Sequence, residues 1–207
     1  MATEAELTRE WVEHPPIGEG NYDVTDAVVV GTLLNSLLRH GDRVAIANQA
    51  QLVNLLGMIS TQERGPAWRQ SIFFPFAAMA NTARGDILRA SVTSDRYSTS
   101  RYGDADLVDA SATWDADRGV VALFLANRGL DQRADVDVTL RGLSPERIST
   151  AVVLTTPDDG DRFAANTARH QPVGMVKLEN VRLDRQQLKI SLPALSWASL
   201  TIEVTVC

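Results

Sequence analysis

The sequence predicts an α+β chain in two parts: an incomplete helix–strand–helix segment over residues 1–85, then an all-β sandwich over residues 86–207. Three observations lead there. Apolar residues recur at helical spacing over residues 23–39 and 67–84. One short β-branched run, Val44-Ala45-Ile46-Ala47, lies between them. From Asp86 onward, short runs rich in Val, Leu and Thr alternate with Gly, Pro and Asp turns.

The first helix is expected over residues 23–39. Asp23 or Thr25 supplies a capping oxygen, Asp26 places an anion in the first turn, and Gly41 follows as a stop. Val28, Val29, Val30, Leu33, Leu34, Leu37 and Leu38 cover more than one stripe, so burial on two sides is predicted. Val44-Ala45-Ile46-Ala47 has no polar alternation and reads as a strand covered on both faces. A second helix over residues 67–84 carries Trp68, Ile72, Phe76, Met79 or Ala80, and Ala83 on one face, with Pro75 as a kink and Gly85 as its stop. Helix, strand, long loop and helix make a piece of an alternating α/β array, but one strand cannot make a sheet. Residues 1–85 therefore look like the last units of a (β/α)8 barrel.

In the second part, strands are predicted at residues 87–93, 110–114, 120–127, 134–140, 150–154, 187–192 and 199–206. Residues 120–125, VVALFL, are apolar on both faces and should form a central strand, whereas Val136, Val138 and Leu140 alternate with polar residues as in a half-exposed one.

Composition narrows the function. In 207 residues, 44% hydrophobic and 22% charged side chains are ordinary for a globular protein. The net charge is −6 and the basic residues are scattered, which argues against nucleic acid or an anionic membrane as partner. The longest apolar run is too short and too interrupted to span a bilayer, and residues 1–6 have neither a basic nor an apolar leader region, so a cytoplasmic protein is expected. Cys207 stands alone, and His14, His40 and His170 lack the paired spacing of metal ligands. His40 reads as a last-turn residue beside the negative end of the helix dipole. Asp158, Asp159 and Asp161 lack the ordered ligand pattern of a calcium loop and read as a solvated turn. No cofactor or metal is expected.

The densest chemical signal is residues 44–54, VAIANQAQLVN, where the apolar run stops at Asn48, Gln49, Gln51 and Asn54. Carboxamides both donate and accept without a charge to desolvate, which suits a ligand made of hydroxyls. Their position past a strand is where α/β sheets place ligands. Each amide taken alone is better explained as a turn cap; four in seven residues just past a strand shift the balance toward a ligand. Trp68 could wall a sugar by its apolar face, but its register with Ile72 and Phe76 favours packing in the core; Trp114 and Trp197 lie in strands and favour the core as well.

A set of motifs carries a family resemblance. Trp11-Val12-Glu13-His14-Pro15-Pro16, Asp26-Ala27-Val28-Val29-Val30-Gly31, Leu37-Leu38-Arg39-His40-Gly41-Asp42-Arg43-Val44, Ala50-Gln51-Leu52-Val53-Asn54, Gly65-Pro66-Ala67-Trp68-Arg69-Gln70 and Leu192-Pro193-Ala194-Leu195-Ser196-Trp197 follow in order. Together they resemble the C-terminal part of the intracellular α-L-arabinofuranosidases of glycoside hydrolase family 51. The resemblance implies the end of a (β/α)8 catalytic barrel followed by a jelly-roll-like sandwich. It implies a retaining, exo-acting enzyme that releases arabinose from arabinan or arabinoxylan side chains, with arabinofuranosyl oligosaccharides as ligands, a missing N-terminal barrel portion as partner, and a homo-oligomeric assembly.

A retaining glycosidase uses two carboxyl groups about 5–5.5 Å apart. In the resembled family both are glutamates on earlier barrel strands, before the segment matching Trp11, so no catalytic residue is assigned in this chain. Arg9-Glu10-Trp11 imitates the nucleophile's context, but Trp11, Pro15-Pro16 and Asp26-Ala27 match a later Trp, Pro-Pro and Asp-Ala at the same spacing. Gln51 matches the glutamine that hydrogen-bonds the arabinofuranose ring in the glycone subsite, a positioning role. Asn48 and Asn54 rank behind it as loop and cap residues. The rival reading is a stand-alone carbohydrate-binding or protein-interaction sandwich with a vestigial helical N-terminus.

Overall fold

The computed structural model describes residues 20–158, 160–184 and 187–207. Helix α1 (Val24–Arg39) is followed by β1 (Ile59–Thr61), β2 (Ala67–Arg69) and helix α2 (Phe73–Thr82). Then come β3 (Asp86–Leu88), β4 (Arg96–Thr99), β5 (Gly103–Asp106), β6 (Val108–Asp115), β7 (Val120–Asn127), β8 (Ala134–Thr139) and β9 (Leu143–Leu154). The chain closes with β10 (Val176–Lys177), β11 (Val181–Asp184), β12 (Gln187–Leu192) and β13 (Ser196–Val206).

A six-stranded antiparallel sheet in the order β10-β9-β13-β7-β6-β3 forms the middle layer. Its alternation explains the continuous apolar run of β7. Val121, Leu123 and Leu125 point into a core shared with Leu188, Ile190 and Leu192 of β12, in the three-stranded sheet β11-β12-β8. Ala122, Phe124 and Ala126 point the other way, into a second core with Val24, Ala27 and Val28 of α1 and Met79 of α2. The predicted central strand is thus buried on both faces, one covered by strands and the other by helices. As predicted, β8 is half-exposed, its outward residues facing solvent; it lies at the edge of its sheet.

Helix α1 begins where the sequence expects. The Asp23 carboxylate accepts from the Asp26 backbone N–H at 3.0 Å, and the Asp26 carboxylate accepts from the Asp23 N–H at 3.1 Å, satisfying two helix-end donors reciprocally. Its inner face holds Gly31 against Trp197: a Cβ on Gly31 would lie 2.4 Å from the indole Cδ1, so only glycine lets the helix come this close. Trp197 is fully buried and stacks on Phe124 with ring centroids 5.8 Å apart. The predicted burial on two sides does not hold among the described residues. Val29, at 52% exposure, and Leu33, at 58%, face outward together with Leu37.

Two element predictions are corrected. Residues 44–47 form no strand; they leave the helix through a turn in which the Val44 N–H bonds the His40 carbonyl at 2.9 Å, and Ile46 is 78% exposed. A buried strand needs backbone partners on both sides, and none of the described strands pairs with this segment. The second helix starts later than predicted. Residues 67–69 pair with β1 across a turn at Gly65-Pro66, placing Trp68 opposite Ser60. Pro75 falls in the first helical turn, where its missing N–H has no intrahelical acceptor to lose, so no kink follows. Gly85 has φ +77°, and a Cβ there would lie 2.1 Å from the Trp114 carbonyl oxygen, which explains why the turn into β3 requires glycine.

Candidate functional site

Residues 48–58 form a largely exposed loop between α1 and β1, and side-chain amides set much of its shape. Asn54 accepts the Thr61 N–H at 2.7 Å and donates to Thr61 Oγ1 at 3.0 Å, closing a small ring across the loop. Gln49 donates to the Leu56 carbonyl at 3.2 Å. These two carboxamides act as the turn clasps that the plainer reading allows. Asn48 and Gln51 are exposed, so the four amides of the motif do not converge on one point. Gln51, Asn54 and Leu55 have φ of 58°, 57° and 46°, a left-handed conformation unfavourable for side chains larger than glycine. Such backbone clusters where surrounding structure imposes it, often at ligand sites.

The loop is tied to the body from below. Gln70, 2% exposed, donates from Nε2 to the Gly57 carbonyl at 3.1 Å and accepts the Tyr22 N–H at 3.1 Å. Tyr22 also donates its hydroxyl to the Leu56 carbonyl at 3.4 Å. Burial raises the Tyr22 hydroxyl above its usual pKa, with the Asp26 carboxylate adding to the shift. Asp23 is likewise raised, chiefly by burial, against the N–H groups of Asp26 and Thr25 that stabilise its charged form.

The other candidates fall in ordinary places. Trp68 is partly buried on β2 and its Nε1 has no acceptor; the expected helical register with Ile72 and Phe76 is absent because residue 68 is in a strand. Trp197 lies in the core between the sheet and α1, and Trp114 packs against the separate core on the sheet's opposite face. His40 caps α1, its Nδ1 bonded to the Ser36 carbonyl at 2.7 Å, and His170 is exposed. Asp158 and Asp161 lie in turns, with Asp161 accepting the Phe163 N–H at 2.9 Å. Glu10, Trp11, His14 and Asp159 lie outside the described residues. Among the described residues no three His, Cys, Asp or Glu side chains gather as a metal site, and no helix is long and apolar enough to cross a membrane.

Sequence reasoning missed a polar cluster under α1. Asp109 on β6, 8% exposed, accepts from Asn35 Nδ2 at 3.0 Å and from Arg39 Nη1 at 2.9 Å, with Arg128 Nη2 at 3.5 Å. Ser111 Oγ donates to Asn35 Oδ1 at 3.1 Å. The available signal was the spacing: Asn35 follows Ala27 and Gly31 at intervals of four, on the buried stripe.

A family model described as the α-L-arabinofuranosidase C-terminal domain matches residues 3–196. The chain belongs to that family. The intracellular exo-α-(1→5)-L-arabinofuranosidase of Streptomyces lividans is 40% identical over 200 residues, 96% of this chain but 30% of the relative. The exo-α-(1→6)-L-arabinofuranosidase of Bifidobacterium longum is 33% identical over 199 residues, 93% of this chain and 37% of the relative. Among solved structures, a family 51 α-L-arabinofuranosidase from Bifidobacterium longum superposes with a TM-score of 0.84 at 36% identity, covering 95% of this chain and 38% of that one. This arabinofuranosidase C-terminal domain is mostly β with few helices, and spans about a third of the length of the curated relatives it matches.

Proposed function

We propose that this chain is the C-terminal portion of a retaining, exo-acting α-L-arabinofuranosidase that releases arabinose from arabinan or arabinoxylan side chains. The observation that carries the reading is the family match over residues 3–196, joined to relatives named exo-arabinofuranosidases. Residues 1–85 are assigned to the end of a (β/α)8 catalytic barrel and residues 86–207 to a jelly-roll-like sandwich. The exposed apolar row Val29, Leu33 and Leu37 and the unpaired segment at residues 44–47 support this assignment, since both are surfaces that further barrel strands and helices would cover. The catalytic glutamates belong to the remainder of the barrel. Gln51 is the glycone contact, hydrogen-bonding the arabinofuranose ring from its exposed loop. The intact enzyme shares the intracellular location in the relatives' names and assembles as a homo-oligomer.

A vestigial helical appendage would leave the second face of the six-stranded sheet to another cover, whereas here α1 and α2 supply that cover. The test is hydrolysis of an aryl α-L-arabinofuranoside. The intact enzyme should turn it over and the 207-residue chain alone should not. In the intact enzyme, Gln51→Ala should lower kcat/KM by roughly 10- to 200-fold, about 1.5–3 kcal/mol for a hydrogen bond near developing charge. An unchanged value would reduce Gln51 to a loop residue.

A further inference from the structure

We propose that Gln70 is the positioning residue of the Gln51 loop; the proposal rests on the reading of Gln51 as a sugar contact. The loop cannot hold its own shape by burial, because Leu52, Val53 and Leu56 are all exposed. It must nevertheless keep Gln51 and Leu55 in left-handed backbone, each at a cost of roughly 1–2 kcal/mol, beside Asn54, whose residue type tolerates it. The Gln49 and Asn54 clasps tie the loop to itself but not to the body of the domain, and Gln70 is buried where it supplies that outside restraint. Its Nε2 grips the Gly57 carbonyl and its own backbone N–H grips the Met58 carbonyl at 2.9 Å.

Gly57 transmits that grip. A Cβ placed on it would lie 2.8 Å from the Asn54 carbonyl oxygen, 2.9 Å from the Val53 nitrogen and 3.0 Å from the Leu52 carbonyl carbon, so Gly57 rests directly on the Leu52–Val53 peptide, one residue beyond Gln51. Gln70 is itself held by the body of the domain. Its Oε1 accepts the Tyr22 N–H, the adjacent Ser71 hydroxyl donates to the Asp23 carbonyl at 2.6 Å, and the Asn166 amide donates to the Arg69 carbonyl at 2.9 Å. The line from Tyr22 and Asp23, just ahead of α1, through Gln70 and Gly57 to the Leu52–Val53 peptide thus fixes where Gln51 starts from, without Gln70 touching the sugar.

Two measurements test this. In hydrogen–deuterium exchange on the 207-residue chain, Gln70→Met keeps the side chain's length and removes both of its hydrogen bonds. Exchange at the amides of Asn54, Gly57 and Thr61 should rise about tenfold or more, while β7 and β13 stay within about twofold. If that variant does not fold, Gln70→Asn, one methylene short, must give the same local pattern. Unchanged exchange at those three amides overturns the proposal.

In the intact enzyme, Gln70→Met should lower kcat/KM by about tenfold when Gln51 is present and by less than about twofold in the Gln51→Ala background. Equal losses in both backgrounds overturn it, because Gln70 would then act by some other route. If Gln51→Ala alone leaves kcat/KM unchanged, the sugar-contact reading is what fails, and the exchange experiment decides the loop restraint separately.

Discussion

Helix α1 and the segment just after it, residues 44–56, are both rich in aliphatic side chains, yet they end in opposite surroundings. The inner face of α1 is buried against Trp197, Ala122 and Phe124. Ile46, Leu52, Val53 and Leu56 are exposed. The difference lies in what stands opposite each. α1 meets a complementary surface within this chain, down to a glycine that admits the indole, whereas residues 44–56 touch a sheet only through the single bridge of Val53 to Ile59. Apolar sequence sets a demand for burial, and tertiary contacts decide whether it is met.

The sharpest way to break this contrast is to remove the surface that α1 rests on. Trp197→Ala should cost about 3–5 kcal/mol, the range for deleting a fully buried large aromatic side chain, read as a lower denaturation midpoint in urea. A cost near zero would mean that α1 is not docked as described. Gly31→Ala comes next, at about 1–3 kcal/mol, because the new methyl would overlap the Trp197 ring. It should lower the midpoint without changing the slope of unfolding with denaturant.

The anchoring of α1 at its start gives a smaller, pH-dependent effect. Asp23 has a folded-state pKa raised above its ordinary value, so the folded state binds more protons than the unfolded state just above that value. The contribution of Asp23 to stability is therefore largest below its unfolded pKa and is lost as pH rises through the folded one. Asp23→Asn keeps a capping oxygen and removes this titration. The Tm difference between Asp23→Asn and the parent chain should shift in favour of the substitution as pH rises from about 4 to 7; a flat difference would count against a raised pKa. The smallest effect is expected on the other side of the comparison. Ile46→Ala should change the stability of this chain by no more than about 0.5 kcal/mol, because its side chain is already in solvent.

Much of the sandwich was legible because the pleat has a period of two and each run of residues carries its own record of burial. Residues 120–127 and 187–192 were placed to the residue. The start of α1 was legible from Asp23 and Asp26, since capping is a local interaction. The polar clusters were not. Asn35 meets Asp109 and Ser111 across more than 70 residues, and Gln70 meets Tyr22 across 48, so no window of sequence contains both partners. Residues 67–69 went the same way: their helical spacing was real, but pairing with residues 59–61 supplied backbone hydrogen bonds that the spacing could not foresee.

By itself, the sequence determined the apolar run of β7, the strand at β12, the cap of α1 and, through its motifs, the family. These depend on local periodicity, local hydrogen bonds or residue identity. Only the tertiary structure decided that α1 lies on the second face of the sheet, that residues 44–47 remain unpaired, and that a buried glutamine stands beneath the Gln51 loop. Each of these depends on a surface or a partner distant in sequence, and burial energy follows the surfaces that meet in space.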